Sequence, residues 1–172
     1  MLDPKMEKAL NQQVNAELYA FYLYLSIATW MEDEGLAGMG AWMRSQAEEE
    51  VSHAMRIYGF IQERGGRVTL AAIDGPPAEW DSAQAAFKAA LEHEVKVTGM
   101  INALVDLSQE IKDHAAGAFL QWFVTEQVEE EAQVQEILDK FKLGGGHPGF
   151  HYMLDKELGA RPASFIAPPP EE

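Results

Sequence analysis

Four long segments of this chain repeat apolar residues every three or four positions, and each repeat is interrupted near its middle by polar or ionisable side chains. This spacing follows the turn of an α-helix, so each segment is predicted to be a helix with one buried face. The four predicted buried faces are Leu10, Val14, Glu17, Phe21, Tyr24, Ala28; Met39, Met43, Gln46, Glu50, His53, Ile57, Phe60; Phe87, Leu91, Glu94, Thr98, Ile101, Val105; and Leu120, Phe123, Gln127, Glu130, Val134, Ile137, Phe141.

Capping residues indicate where these helices begin. Asp3 followed by Pro4 is typical of a first turn, Asp81 with Gln84 resembles a capping box, and Asp113 is suited to cap the fourth helix. Glycines in residues 35–40, 65–66 and 144–146 predict the ends. The predicted helices cover residues 3–34, 39–64, 81–110 and 113–143, with a short fifth helix over residues 147–158.

The lengths of the connections predict the topology. Short turns make helices one and two antiparallel, and likewise helices three and four. Residues 67–80 contain Gly75-Pro76-Pro77, which excludes regular structure, and are long enough to run back along the bundle. The expected fold is therefore an all-α four-helix bundle with one long crossover between helices two and three. Residues 1–158 are expected to form one domain, and residues 159–172 a loose, proline-rich tail.

The amino-acid composition excludes several classes of partner and metal site. The chain has 172 residues, and its 13 basic and 28 acidic residues give a net charge of −15, which argues against nucleic acid as a partner. There is no cysteine, which excludes disulfides, thiolate metal sites and iron–sulfur clusters. No apolar run approaches the roughly 18 residues that span a membrane. The N-terminus lacks a signal-peptide pattern, so a cytoplasmic location is expected.

The interruptions in the buried faces are the main functional signal. Glu17, Glu50, His53, Glu94 and Glu130 are predicted to meet inside the bundle at one height. Buried carboxylates without a cation are costly, and no lysine or arginine occupies any of the four faces. Carboxylates with one imidazole suit Fe(II) or Mn(II), with zinc possible, and their charge is enough for two divalent ions. The alternative is a set of polar core residues that fixes helix register.

An internal repeat supports a shared site. A shift of 77 positions aligns the two helical hairpins, so that the ionisable residues of the first fall on polar residues of the second. The pairs are Glu17 with Glu94, Glu49 with Glu126, Glu50 with Gln127, and His53 with Glu130. The two hairpins are therefore expected to surround the site as pseudo-equivalent halves.

These residues resemble the ferroxidase centre of bacterial and archaeal non-haem ferritins. The resemblance covers roughly residues 1–158 and includes the string Leu120-Gln121-Trp122-Phe123-Val124-Thr125-Glu126-Gln127 and Asp155-Lys156-Glu157-Leu158 in the last helix. The residues that carry it are Glu17, Tyr24, Glu49, Glu50, His53, Glu94, Glu126, Gln127, Glu129 and Glu130. A ferritin-like bundle with a short fifth C-terminal helix is the fold that it implies.

The resemblance implies a role for each residue. One iron would be bound by Glu17, Glu50 and His53, and the other by Glu50, Glu94 and Glu130, with Glu50 as the bridge. Gln127 and Tyr24 would orient ligands or oxygen species. A third iron site would comprise Glu49, Glu126, Glu129 and Glu130, although acidic runs such as these are usually solvated helix faces. Fe(II) would be oxidised by O2 or H2O2 and stored as a ferric mineral inside a homo-oligomeric shell of 24 subunits.

Haem is not expected. Haem-containing bacterioferritins carry a second Glu-x-x-His motif on the fourth helix, where this chain reads Gln127-Val128-Glu129-Glu130. They also carry a haem-ligating methionine just before the first motif histidine, where this chain has Ser52.

Four other functions compete with iron storage by a ferroxidase. A di-iron peroxidase of the rubrerythrin type carries an additional cysteine-ligated iron, and this chain has no cysteine. A DNA-protecting mini-ferritin places its ligands between subunits and lacks a fifth helix. A non-catalytic interaction protein would leave the buried carboxylates without partners. A manganese- or iron-binding shell without oxidase activity also fits the residues and stays open.

Overall fold

The computed structural model describes residues 1–145 and 147–160, which form helices and connecting turns, with no strand within these two ranges. No helix within them is both long and apolar enough to cross a bilayer. The all-α prediction is confirmed. The helices are α1 (Pro4–Asp33), α2 (Ala37–Glu63), α3 (Ala83–Glu110), α4 (His114–Gly144) and α5 (Pro148–Leu158).

Most helix starts agree with the capping residues expected. The carboxylates of Asp3 and Asp113 cap α1 and α4 by accepting backbone N–H groups of the first turn. The capping box predicted at Asp81 is wrong by one residue. The Ser82 hydroxyl accepts the N–H of Ala85 at 3.1 Å, so α3 begins one residue later. Aspartate and serine cap helices about equally well, so the two adjacent candidates cannot be ranked from sequence.

The crossover between α2 and α3 runs along α1. Its contacts follow α1 in ascending order, so it travels in the same direction as α1, and α3 then runs parallel to α2. Three α1 side chains donate hydrogen bonds to its carbonyls: Asn11 to Arg67 at 2.9 Å, Asn15 to Ala72 at 3.0 Å and Ser26 to Pro77 at 2.7 Å. This is the predicted bundle with one long crossover.

The apolar core is divided into two clusters by a layer of polar side chains. One cluster lies toward the end of the bundle that carries α5, and the other lies toward the N-terminus of α1. The first includes Ile27, Met31, Met39, Phe87, Phe141 and Leu154, and the second includes Met6, Leu10, Ile57, Ile61, Ile101 and Leu120. The predicted ligands occupy the layer between them, so apolar packing closes the site from both ends.

The fifth helix docks on the first turn of α2. The α2 helix begins at Ala37, two residues earlier than predicted, and its N-cap residue Leu36 provides no capping side chain. Asp155 of α5 supplies the missing acceptor, because its Oδ1 accepts the N–H of Met39 at 2.9 Å. Gly38 permits the close approach, since a Cβ at this position would lie 1.8 Å from the carbonyl oxygen of Asp155.

Of the tail expected over residues 159–172, the structure describes only the first two residues. Gly159 and Ala160 continue from α5 as a hydrogen-bonded turn, and Gly159 N–H donates to the carbonyl of Asp155 at 2.9 Å. Residues 161–172 lie outside the described residues, so the loose tail stays a prediction.

Substitution of Gly38 by alanine is expected to displace α5. The added Cβ meets backbone atoms, which cannot rotate away, so Leu154 and Leu158 of α5 would lose their burial. Loss of these two side chains from the core is expected to lower the free energy of unfolding by about 2–5 kcal/mol. Hydrogen exchange of the α5 amides and the melting temperature measure this effect.

The matched control is Gly99→Ala in α3, where an added Cβ meets nothing within 4 Å. Alanine favours the helix there by up to about 1 kcal/mol, so this variant should be as stable as the parent or more so. Equal α5 protection in both variants would contradict the docking role of Gly38.

Candidate metal centre

All four long helices contribute to a polar layer halfway along the bundle. The predicted ligands on the four helices do meet there, and each is at most 4% exposed. They are Glu17 on α1, Glu50 and His53 on α2, Glu94 on α3, and Gln127 and Glu130 on α4. Among the described residues no lysine or arginine is buried, so the layer is rich in acid and poor in positive charge.

One cluster of candidate ligands joins α1 and α2. Ligand atoms of Glu17, Glu50 and His53 lie within 4.8 Å of one another, close enough to surround one metal ion. Glu50 and His53 are one helical turn apart, and the Nδ1 atom of His53 lies 3.4 Å from Oε2 of Glu50. These three residues are the ones that the resemblance implies for the first iron.

Glu94 approaches the layer from α3 and is held by two neutral donors. The hydroxyl of Tyr24 donates to Oε1 of Glu94. The amide of Gln127 donates to Oε2 at 3.0 Å and to the backbone carbonyl of Glu94 at 3.3 Å. Tyr24 and Gln127 therefore contact a candidate ligand directly, and they can orient its carboxylate.

Glu130 enters the layer from α4. Its Oε2 accepts a hydrogen bond of 2.7 Å from the amide of Gln46. Ligand atoms of Glu130, His53 and Glu126 form a second group within 4.8 Å, in which Nε2 of His53 lies 3.9 Å from Oε1 of Glu126. His53 thus has one nitrogen facing Glu50 and the other facing Glu126.

Burial changes the proton affinity of these carboxylates. Desolvation raises the pKa of Glu17 from 4.5 to about 7, and it raises the pKa of Glu50 well above its usual range. The charges of neighbouring carboxylates contribute in the same direction. A protonated Glu50 donates to Glu17, which lowers the pKa of Glu17 and raises that of Glu50. Without a cation, the layer therefore retains protons near neutral pH.

Two other groups in the layer are neutral near pH 7. Burial first, and then the charge of Arg56, lower the pKa of His53 from 6.5 to about 4. A neutral imidazole has a lone pair available for a metal ion. Burial and the charge of Glu94 raise the pKa of Tyr24 well above its usual range, so its hydroxyl remains a donor.

Of the four residues predicted for a third iron site, Glu130 lies within this layer, and the other three lie beside it and are more open. Glu126 and Glu49 are half-buried, and Glu129 is exposed. Burial raises the pKa of Glu126, as do the charges of Glu129 and Glu49, so these three carboxylates interact. The positive charge of Arg56 acts in the opposite direction and lowers the pKa of Glu126. Its guanidinium also lies 4.1 Å from the centre of the Trp122 ring, next to His53.

Two glutamines that contact ligands were not assigned a role from the sequence. Gln13 donates to Oε1 of Glu17 at 2.9 Å, and Gln46 donates to Glu130. Both are 1% exposed. Helical spacing could have indicated both glutamines. Each lies four residues, or about one turn, before a glutamate of the site, Glu17 or Glu50.

His93 is a buried packing residue on α3. Its side chain is buried between Tyr19 and Tyr24, with ring centroids 5.6 and 6.3 Å away. Burial lowers its pKa from 6.5 to about 4. A buried histidine next to Glu94 was hard to recognise, because position 93 falls beside the predicted helix face.

Comparison with known proteins identifies the family of this chain. The family model described as a ferritin-like domain matches residues 7–144. A bacterial non-heme ferritin of Bacteroides fragilis is 40% identical over 161 residues, which cover 94% of this chain and all of that protein. A bacterial non-heme ferritin of Campylobacter jejuni is 38% identical over 158 residues, covering 92% of this chain and 95% of the relative.

Solved structures give the same result. An open pore ferritin from Archaeoglobus fulgidus superposes with a TM-score of 0.93 at 49% identity, covering 94% of this chain and 100% of that one. A closed form of the A. fulgidus ferritin, engineered by mutagenesis, superposes with a TM-score of 0.94 at 49% identity, covering 95% and 100%. On its sequence and its fold, the chain belongs to the ferritin family.

Proposed function

We propose that this protein stores iron, and that it oxidises Fe(II) to Fe(III) at the buried layer before depositing it inside a homo-oligomeric shell. The observation that carries the proposal is the cluster of Glu17, Glu50 and His53 inside a bundle whose described core contains no lysine or arginine. Such carboxylates are stable in ionised form only with a cation among them. The bacterial non-heme ferritins related to this chain support iron as that cation.

Two Fe(II) ions are the substrates in this proposal. The first is bound by Glu17, Glu50 and His53, and the second by Glu50, Glu94 and Glu130, with Glu50 between them. Oxygen and nitrogen donors without thiolate suit iron in this role. The oxidant is O2 or H2O2, which accepts the electrons that Fe(II) loses.

The chain's own residues prepare the site for this substrate. Neutral His53 offers a lone pair, and the raised pKa values of Glu17 and Glu50 mean that iron binding displaces protons. Tyr24 and Gln127 keep the carboxylate of Glu94 in place. The apolar clusters at both ends of the layer limit the access of water.

A third iron position beside the pair is the weaker part of the proposal. Glu49, Glu126, Glu129 and Glu130 would bind it. The mutual influence of Glu49, Glu126 and Glu129 supports a shared cation, and their greater exposure favours rapid exchange. This position would pass iron from the pair to the interior of the shell.

The proposed site is tested by anaerobic Fe(II) titration of the apoprotein followed by exposure to oxygen. We expect two or three tightly bound irons per subunit, rapid oxidation and then slower uptake of many more. In Glu50→Ala or His53→Ala, oxidation should slow by roughly a hundred-fold or more. Loss of a residue that only hydrogen-bonds to a metal ligand already costs about ten- to a hundred-fold, and these two residues are proposed ligands themselves.

Glu92→Ala is the matched control, since this glutamate lies on the solvent side of α3 beside Lys88. It should oxidise iron at the parent rate. A parent protein that binds two irons and oxidises them, but takes up no more, would indicate a di-iron enzyme instead of a store. Binding without oxidation would support the alternative of a metal-binding shell that lacks oxidase activity.

The buried carboxylates also predict how the stability of the apoprotein depends on pH. Because the folded-state pKa of Glu17 is raised, its contribution to stability is complete below pH 4.5 and is lost as the pH rises through about 7. Glu17→Gln removes this dependence. The variant should therefore gain stability over the parent as the pH rises across this window, by about 3 kcal/mol at the upper end.

Denaturant unfolding of both metal-free proteins between pH 4.5 and 8 measures this difference. Comparison with the variant cancels the opposite trend caused by His53 and His93, whose pKa values are lowered. A constant difference between the two proteins across the pH range would contradict the raised pKa of Glu17.

Exposed apolar side chains support assembly into a shell. Tyr152 and Met153 on α5 are 65% and 70% exposed, and Tyr22 and Leu25 on α1 are 48% and 39% exposed. A shell of 24 chains of 19.1 kDa has a mass of about 460 kDa. Light scattering is expected to give this mass, and a stable monomer would contradict storage inside a shell.

A further inference from the structure

Gln46 makes a hydrogen bond that links two hairpins at the metal layer. It lies on α2 one turn before Glu50 and is 1% exposed. Its amide nitrogen reaches across the bundle and donates to Oε2 of Glu130 on α4 at 2.7 Å. The contact therefore joins the helix that supplies Glu50 and His53 to the helix that supplies Glu130.

The position of Glu130 gives this bond its importance. In the proposed function Glu130 serves both the second ion of the pair and the third ion. Its carboxylate lies within 4.8 Å of ligand atoms of His53 and Glu126, on the side of the more open acidic group. A short hydrogen bond to one oxygen of Glu130 restricts the rotation of this carboxylate, and so limits where its other oxygen can meet a metal ion.

The amide of Gln46 is uncharged, which suits a group that holds a metal-binding carboxylate. A lysine or arginine at position 46 would hold Glu130 more strongly, but it would repel the incoming cations. A neutral N–H donor restrains the carboxylate and leaves its negative charge available to a metal ion. Gln127 acts in this way on Glu94, and Gln13 does so on Glu17.

We propose that Gln46 is a positioning residue for iron, which acts by holding Glu130 where the second and third ions bind. This inference rests on the proposed iron site. Gln13 holds Glu17 at the first ion in the same way, so the two glutamines control different ions. Because each glutamine contacts a different carboxylate, replacing one or the other should weaken the binding of different ions, and this difference can be measured.

Replacement of each glutamine by methionine tests the assignment, because methionine has a similar length and lacks the N–H donor. Co(II), which oxygen does not readily oxidise in such a site, is the probe. It is titrated into the assembled protein, its binding is followed by calorimetry and by visible absorption, and its positions are located by anomalous diffraction.

In Gln46→Met, the first Co(II) should bind with the affinity of the parent protein. The ions that depend on Glu130 should bind roughly ten- to a hundred-fold more weakly, the usual loss when an outer hydrogen-bond partner is removed. Gln13→Met should show the opposite pattern, with the first ion weakened and those at Glu130 less affected. General loosening of the bundle would not produce two opposite patterns.

Equal titration curves for Gln46→Met and the parent, or an equal loss at every position in both variants, would overturn the proposal. A parent protein that binds no Co(II) or Fe(II) in the layer would overturn the proposed function as well, so the two failures are distinguishable. Should Gln46→Met not assemble, Gln46→Leu is the second variant, because leucine is smaller and likewise has no N–H donor. It should show the same selective loss at Glu130.

Discussion

The burial of four carboxylates at one height of a helical bundle is the constraint on which the rest of this structure depends. Ionised carboxylates in an apolar interior are costly, and neighbouring ones repel one another. The protein does not relieve this cost with buried lysine or arginine among the described residues. It relieves it by retaining protons when no metal is present, as the raised pKa values of Glu17 and Glu50 indicate. Metal ions and protons therefore compete for the same oxygens.

Neutral hydrogen-bond donors give the layer its geometry. Three amides, from Gln13, Gln46 and Gln127, and the phenol of Tyr24 each contact a carboxylate of the layer. These donors restrain the carboxylates without supplying positive charge, so the negative potential that attracts a cation is preserved. Restraint of this kind reduces the reorganisation needed when an ion binds.

The remainder of the fold supports this layer from both ends. Apolar clusters above and below the site bring the four helices into register, and the crossover along α1 allows α2 and α3 to run parallel. At one end, Asp155 of α5 caps α2 in place of a local side chain, at the point where Gly38 leaves room for it. The helix that supplies Glu50 and His53 is thus anchored by a contact remote in sequence.

The sequence by itself determined the helical class, the order of the helices, the long crossover and the set of ionisable residues that face one another. These features depend on periodicity, on glycine and proline positions and on loop lengths, all of which are local. Local signals were less decisive at helix ends, where Asp81 and Ser82 were both good caps and the structure uses Ser82. The early start of α2 could not be predicted, because its cap comes from Asp155 in another helix.

Only the tertiary structure decided which donor contacts which carboxylate. Gln46 and Glu130 are 84 positions apart, and Tyr24 and Glu94 are 70 apart, so no local pattern pairs them. The burial of His93 between Tyr19 and Tyr24 and the approach of Arg56 to Trp122 likewise depend on how neighbouring helices are rotated. Helical periodicity determines the face on which a residue lies, whereas the partner it meets is determined by the packing of that face against another helix.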